Sequence, residues 1–319
     1  MTTTIGFHAS HEQLPPGQLL ADVQLAEQAG FDAAMCSDHF EPWSATQGHS
    51  GFAWSWLGAA LATTNLRFGV VTAPGQRYHP AIIAQASGTL ASMFPGRFWA
   101  ALGSGENLNE HITGDPWPEK AERQQRIEEC ADIIRRMHDG EEVTHDGLVT
   151  VHQARLWDAP EVRPPLIAPA VSVETAARSA RWADGLVTVN QPHEKLTEMI
   201  QAYRENGGEG KLILQVHLSW AASEEEALDI AQTQWGSNCL APPTTWDLAR
   251  PSDFEEASCD TDEEKLRATV QISSDLSQHA QQLREYIDLG FDELYLHFVG
   301  TEQKPFIEAF AEHVLPEVR

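Results

Sequence analysis

The run Phe31-Asp32-Ala33-Ala34-Met35-Cys36-Ser37-Asp38-His39-Phe40-Glu41-Pro42-Trp43 passes from apolar to chemically reactive within a few residues. Its segment 33–37 has the length and composition of a buried strand. That strand ends in an ionisable pair, Asp38 and His39, with a tryptophan close behind. In parallel α/β proteins the C-terminal strand ends are where ligands bind. A second strand end, Phe98-Trp99-Ala100-Ala101-Leu102-Gly103-Ser104-Gly105-Glu106, repeats the pattern of apolar residues, then glycines, then a carboxylate. Two strand ends carrying titratable groups point to an active site rather than a binding scaffold.

The remaining chain supplies a matching rhythm. Strands are expected at 4–9, 33–37, 66–73, 98–103, 166–170, 186–190, 211–221 and 293–299. Helical spacing of apolar residues falls between them, at 16–28, 54–63, 81–93, 119–137, 173–183, 193–206, 223–235, 276–289 and 305–315. Gly30 is placed to supply the left-handed cap of the first helix. Two segments break the alternation. Residues 140–157 have period-two character around Asp146-Gly147 and read as an inserted β-hairpin. Residues 236–275, with Pro242-Pro243 and Pro251, read as an insertion of loops and short helices. The α/β pattern of eight strands predicts a (β/α)₈ TIM barrel, one domain over 1–319.

Composition narrows the function. With 42% hydrophobic residues the chain can build a large core. Its 47 acids against 21 bases give a formal charge of -26, which argues against nucleic acid or an anionic membrane as partner. A small-molecule substrate is expected instead. Cys36, Cys130, Cys239 and Cys259 form no C-x-x-C, so neither a zinc site nor a disulfide framework is signalled. The histidines show no metal-ligand spacing, and no metal is expected. Residues 1–4 carry no basic leader and no stretch approaches ~18 apolar residues, so a cytoplasmic location is expected.

Each candidate group has a plainer explanation beside it. Asp38 could be a helix cap with a neighbouring surface histidine; the functional alternative is that His39 moves a proton near neutral pH. In Ser104-Gly105-Glu106-Asn107-Leu108-Asn109, glycine lets backbone approach a ligand, or Glu106 simply opens a helix. Ala170-Val171-Ser172 precedes a helix whose free N–H groups suit a phosphate, and Ser172 serves equally as an N-cap. The stretch Gln76-Arg77-Tyr78-His79-Pro80 reads adequately as a turn.

Together, Gly6-Phe7-His8-Ala9-Ser10, Ser37 to Trp43, Gly48-His49-Ser50-Gly51-Phe52, Arg77 to Ala86 and Gly103 to Glu110 resemble the luciferase-like flavin and deazaflavin oxidoreductases. The likeness is strongest to the branch of F420-dependent glucose-6-phosphate dehydrogenases. It implies a flavin-type ring at the C-terminal mouth of the barrel, and a homodimer. It further implies that Asp38 contacts the ring, His39 takes a proton from a substrate hydroxyl, Trp43 holds the oxidised carbon and Glu106 acts as an acid. Val70-Val71 matches the family's strained non-proline cis peptide. Ala73, Ser104, Gly105, Asn109, Ala170, Val171 and Ser172 fall in the cofactor cradle.

The chain also departs from that branch. Ala170-Val171 replaces a glycine pair at the cofactor phosphate, and Ala73 replaces a threonine beside the ring. The threonine, lysines and arginine that hold the sugar phosphate fall at Val189, at Pro192, near Phe254-Glu255-Glu256-Ala257 and near Thr269. Without cations a dianion's desolvation is not offset, so an uncharged or apolar substrate is expected. These departures are similar to a side branch that uses ordinary flavin. The expectation is hydride transfer between a small organic substrate and FMN. Coenzyme F420 on the same fold is the alternative, and a non-catalytic metabolite-binding barrel a second.

Overall fold

The computed structural model describes residues 3–319. Its strands are β1 (Thr4–Ala9), β2 (Ala33–Ser37), β3 (Arg67–Thr72), β4 (Phe98–Leu102), β5 (Val143–Asp146), β6 (Thr150–Ala154), β7 (Leu166–Pro169), β8 (Gly185–Val189), β9 (Lys211–Ser219), β10 (Gln271–Ile272) and β11 (Glu293–Phe298). Between them run α1 (Pro16–Gln28), α2 (Ala53–Thr63), α3 (Pro80–Met93), α4 (Asn107–Glu110), α5 (Lys120–His138), α6 (Val173–Ser179), α7 (His193–Glu205), α8 (Glu224–Trp235), α9 (Thr244–Asp247), α10 (Pro251–Ala257), α11 (Glu263–Thr269), α12 (Leu276–Asp288), α13 (Gln303–His313) and α14 (Leu315–Val318).

Parallel pairing runs β1-β2-β3-β4-β7-β8-β9-β11 and returns to β1, closing an eight-stranded TIM barrel. The antiparallel pair β5–β6 stands outside it, as the Asp146-Gly147 turn predicts. Residues 236–270 fold into a short 3₁₀ turn and α9 to α11, then return through β10, a two-residue strand on β9 too brief for periodicity to reveal.

Alternation of side chains divides the core in two. Ala33, Met35, Trp99, Ala101, Ile167, Val187, Ile213 and Tyr295 fill the barrel interior, while a larger cluster joins the strands to the helices. Two large rings fit inside because glycines lie beside them. A Cβ on Gly69 would sit 2.0 Å from Trp99, and one on Gly6 2.4 Å from Tyr295. At the N-terminal end, buried Glu293 pairs with Arg67 and Lys211 and accepts from the Tyr295 hydroxyl at 2.9 Å. The floor is thus tied by charge, and the C-terminal mouth is left for chemistry.

The cis bond expected at Val70-Val71 is absent. Among the described residues the cis peptide is Pro242-Pro243. Both edges of β3 are paired in register, Val70 with Cys36 and Ala100, Val71 with Ser37 and Ala101. Uninterrupted alternation therefore turns Val70 toward the helices and leaves Val71 facing the interior.

Candidate active site

The mouth opens into a cleft of about 1060 Å³, its solvent-open part included. Asp38, His39, Val71, Ala73, Ser104, Gly105, Glu106, Asn109, Ala170 and Val171 all border it. Val70 does not; it lies in the outer core. Ser172 takes its plainer role, capping α6 by accepting from the Thr175 N–H, and Thr175 borders the cleft instead.

His39 stands between two carboxylates. Its Nε2 is 3.5 Å from Glu12 Oε1 and 3.7 Å from Glu106 Oε2, and its ring packs on Trp43 at 5.0 Å. Glu12 follows β1 and is buried, with Ser10 and Ser37 hydroxyls each donating to its Oε2 at 2.8 Å. Burial alone would push its pKa up. The charge of His39, together with hydrogen bonds from Ser37, its own N–H and Ser10, outweighs that and holds it at about 2. Glu106 is pushed the other way, chiefly by desolvation and further by Glu12, against the lowering effects of His39 and Arg77. One side of the imidazole is therefore a fixed anion, and the other a carboxyl disposed to keep its proton. Such divergence is how paired carboxylates divide acid and base work.

Asp38 proves to be an internal hub. Its Oδ2 accepts from Trp54 Nε1 at 3.1 Å and Thr72 Oγ1 at 2.7 Å, and its Oδ1 from the Tyr78 hydroxyl at 3.2 Å. Arg77 lies 3.7 Å away and donates to the Asp38 carbonyl at 2.8 Å. The same arginine faces buried Glu110, whose carboxylate accepts the Arg77 N–H at 2.6 Å. The Asp38 side chain has no exposed surface: the residue borders the cleft, and its carboxylate is held by these donors, which fix the strand end that carries His39. Asn109 likewise bends back. Its Oδ1 accepts from the N–H groups of Phe40 at 2.8 Å and Glu41 at 3.3 Å, pinning the loop that follows His39.

A roof from the 236–270 insertion covers the mouth. Phe254 of α10 meets Trp43 edge-on at 5.2 Å, and Glu255 accepts from the Ala45 N–H at 2.8 Å. Farther along, Asp247 accepts from Trp117 Nε1 at 3.0 Å and from Asn107 through its carbonyl at 2.9 Å. Lys120 and Arg123 border the cleft under that bridge. The Arg123 Nε is buried without a partner.

Three features escaped the sequence. Glu12 lies in Ser10-His11-Glu12-Gln13, a polar cluster directly after β1, and that position was its available signal. Arg77 and Glu110 sit in stretches that turn and helix-start chemistry explain well enough alone. His8, His217 and His297 come from three strands far apart in the chain, yet their rings meet at the mouth, 4.4 Å and 5.2 Å apart in sequence along the cluster. No local pattern could join them.

With this geometry in place, likeness to known proteins decides the family. A family model described as luciferase-like monooxygenase matches residues 1–293. The chain belongs to that family. It is 34% identical to the F420-dependent glucose-6-phosphate dehydrogenase of Beutenbergia cavernae, over 99% of this chain and 97% of the relative. An F420-dependent secondary alcohol dehydrogenase, solved with an F420-acetone adduct, superposes over 100% of both chains with a TM-score of 0.92 at 27% identity. The FMN-bound oxygenating component of a diketocamphane monooxygenase from Pseudomonas putida shares the fold, with a TM-score of 0.71 at 15% identity over 100% of this chain and 99% of that one. The protein is a luciferase-like oxidoreductase. No helix among the described residues is long and apolar enough to cross a membrane.

Proposed function

We propose that the enzyme moves a hydride between a small uncharged alcohol or carbonyl compound and FMN, with His39 handling the substrate proton. The observation that carries this reading is the Glu12–His39–Glu106 array at the edge of a cleft suited to a flat ring. Val71, Ala73, Pro169, Ala170, Val171 and Val187 give that cleft apolar walls, and Ser104-Gly105 gives it a backbone edge. Gly105 has φ +86°, a conformation that favours glycine. At the far end Arg123, Thr175 and Lys120, whose ammonium pairs with Glu174 at 3.0 Å, border the cleft and would hold one phosphate. These residues fit the group.

When bound, the flavin accepts or gives the hydride. The chain's own residues do the rest. In the oxidation direction His39 removes the hydroxyl proton as the carbon loses its hydride, and Glu12 stabilises the resulting imidazolium. Glu106 holds a proton at the cleft edge, available to a basic atom. Trp43 and Phe254 screen His39 from water. Arg77, between Asp38 and Glu110, keeps the supporting shell rigid.

FMN ends at its phosphate, which suits a cleft bridged there by Trp117 and Asp247. An acidic tail running past that bridge would meet Asp247, Glu119 and Glu174 on a chain of charge -26. F420 stays in contention because the relatives named above are F420-dependent. Reconstituting the apoprotein with each coenzyme tests this. Two visible flavin bands and bleaching by a secondary alcohol support FMN, and tight binding of F420 alone reverses the assignment. Glucose 6-phosphate should give no useful turnover with either; rates typical of a sugar-phosphate dehydrogenase would refute the uncharged-substrate reading.

A homodimer is proposed alongside. Helices α2 and α3 contain no charged residue, yet α3 exposes Ile82 and Met93. Two copies so acidic repel least across an uncharged face; a monomeric mass by light scattering would refute it.

A further inference from the structure

The wall of the mouth formed by β9, β11 and the loop after β1 holds a buried chain of amides and imidazoles that has a direction. It starts at the Val299 carbonyl, which can only accept. Gln13 lies against that oxygen at 2.5 Å and must therefore present its amide nitrogen there. This leaves Gln13 Oε1 2.7 Å from His297 Nε2, which must be an N–H. His297 is buried beside the rings of His8 and His217, and burial holds its pKa well below the ordinary imidazole value. The neutral ring has one proton, already assigned to Nε2, so Nδ1 is a bare acceptor. The Gln215 atom 3.3 Å from it is consequently the amide nitrogen. That nitrogen also lies 3.1 Å from His217 Nε2, on a second ring that burial keeps neutral, with a pKa of about 3. Both Gln215 N–H bonds are committed to imidazoles. Its carbonyl oxygen is the group left over, on a side chain that borders the cleft.

We propose that Gln215 is a specificity residue: its carbonyl oxygen, held in place through His297, Gln13 and Val299, is a fixed acceptor that selects uncharged substrates bearing a second hydroxyl away from the reacting carbon. The proposal rests on the oxidoreductase reading for the substrate's place. Gln215 stands on β9, opposite β3 in the barrel order and beyond the β3, β4 and β7 walls that suit the ring. Its β8 neighbours in the cleft are Val187, Thr188 and Val189, and no lysine or arginine among the cleft residues lies on β8 or β9. In such a wall one oriented acceptor discriminates strongly, because an analogue without the donor leaves it desolvated and unpaired.

Two measurements test this without turnover. In ¹⁵N-histidine protein, long-range proton–nitrogen spectra should show neutral His297 protonated on Nε2 and neutral His217 protonated on Nδ1, assigned with His297→Gln and His217→Gln. His297 protonated on Nδ1 reverses the relay and overturns the proposal, whatever the enzyme oxidises. Anaerobic titration of protein loaded with reduced FMN, which cannot accept a hydride, with 2,3-butanediol and with 3-methoxy-2-butanol should then show the diol binding about tenfold tighter, the scale of one buried hydrogen bond. Gln215→Leu, or Gln215→Met if that variant folds poorly, should bring the two within about twofold. Equal binding by the native protein overturns the proposal, as does a Gln215 variant that loses FMN affinity but keeps the diol preference. Failure of every alcohol to reduce the coenzyme would refute the oxidoreductase chemistry while leaving both readouts interpretable.

Discussion

The two sides of the barrel mouth are built from opposite materials. The side formed by Glu12 and the ends of β2 to β4 is ionic: Glu12 and Glu106 flank His39, and Arg77 lies between Asp38 and Glu110. The side formed by β8, β9 and β11 places polar groups just as deep but keeps them neutral, with His217, His297 and Gln215 bonded to one another. Burial acts on both. On the first side Glu12 keeps its charge against burial because His39 and two hydroxyls face it, while Glu106 is pushed toward its neutral form. On the second, no counter-charge is at hand, so the imidazoles shed their protons. A proton-moving site needs the first arrangement, and recognition of an uncharged molecule needs the second.

The sharpest way to break this contrast is to remove the proton handlers. His39→Ala and Glu106→Gln should each slow turnover by about 10²–10⁴-fold, the usual worth of general acid–base catalysis. Coenzyme binding, measured by flavin fluorescence, should change little, because both side chains line the edge of the cleft. If His39→Ala kept near full activity, the ionic side would be structural and His39 no more than the neighbouring histidine of the plainer reading.

Next in size is Asp38→Ala. The resemblance to relatives suggests a lost ring contact, whereas the geometry shows a buried carboxylate serving Trp54, Thr72 and Tyr78 beside Arg77. Removing it strands a buried guanidinium and three donors, a loss of about 3–5 kcal/mol. Urea denaturation of the apoprotein should show that loss before any coenzyme is added. An unchanged midpoint, with weakened FMN binding, would restore the ring-contact role.

How far the sequence anticipated this contrast depends on what each side is made of. Asp38, His39 and Glu106 were legible because an apolar strand giving way to an acid or histidine is a local event. All eight barrel strands were legible for the same reason, since burial on both faces leaves short apolar runs. What Asp38 does was not legible. Its donors come from α2, β3 and the loop before α3, and only the closed barrel brings them together. Val70-Val71 went astray because a family expectation outweighed an ordinary strand sequence. The neutral wall was invisible, since His8, His217 and His297 each look unremarkable and their shared environment exists only after folding.

Acid should separate the sides by stability. His8 is buried and its pKa falls to about 4, chiefly through desolvation. Its folded value lies below the ordinary 6.5, so the unfolded chain binds the proton more readily. The associated stability is complete above pH 6.5 and is lost as pH falls toward 4, an effect of roughly 3 kcal/mol. Glu12, held at about 2, keeps its contribution down to about pH 4.5 and loses it only below that. Stability measured between pH 7 and 4.5 should therefore decline in the native protein and decline less in His8→Gln. A His8→Gln curve parallel to the native one would mean that this histidine is already charged and the neutral wall is not neutral.

The smallest effect sharpens the boundary between the two sides, at the bridge over Arg123. Asp247 has two opposed actions there: it accepts from Trp117 at 3.0 Å, closing the cleft, and its carboxylate lies 4.0 Å from the Arg123 guanidinium, competing for it. Asp247→Asn keeps an acceptor for Trp117 and removes the charge. FMN should then bind about two- to fivefold tighter at low salt, since a half-exposed pair at that distance is worth at most ~1 kcal/mol. The gain should vanish near 1 M salt, where screening reaches about 3 Å. Asp247→Ala removes both actions and should leave affinity near the native value. An Asp247→Asn protein with native affinity at every salt concentration would mean that Arg123 faces no phosphate, and the tail end of the cleft would have to be sought elsewhere along the ionic side.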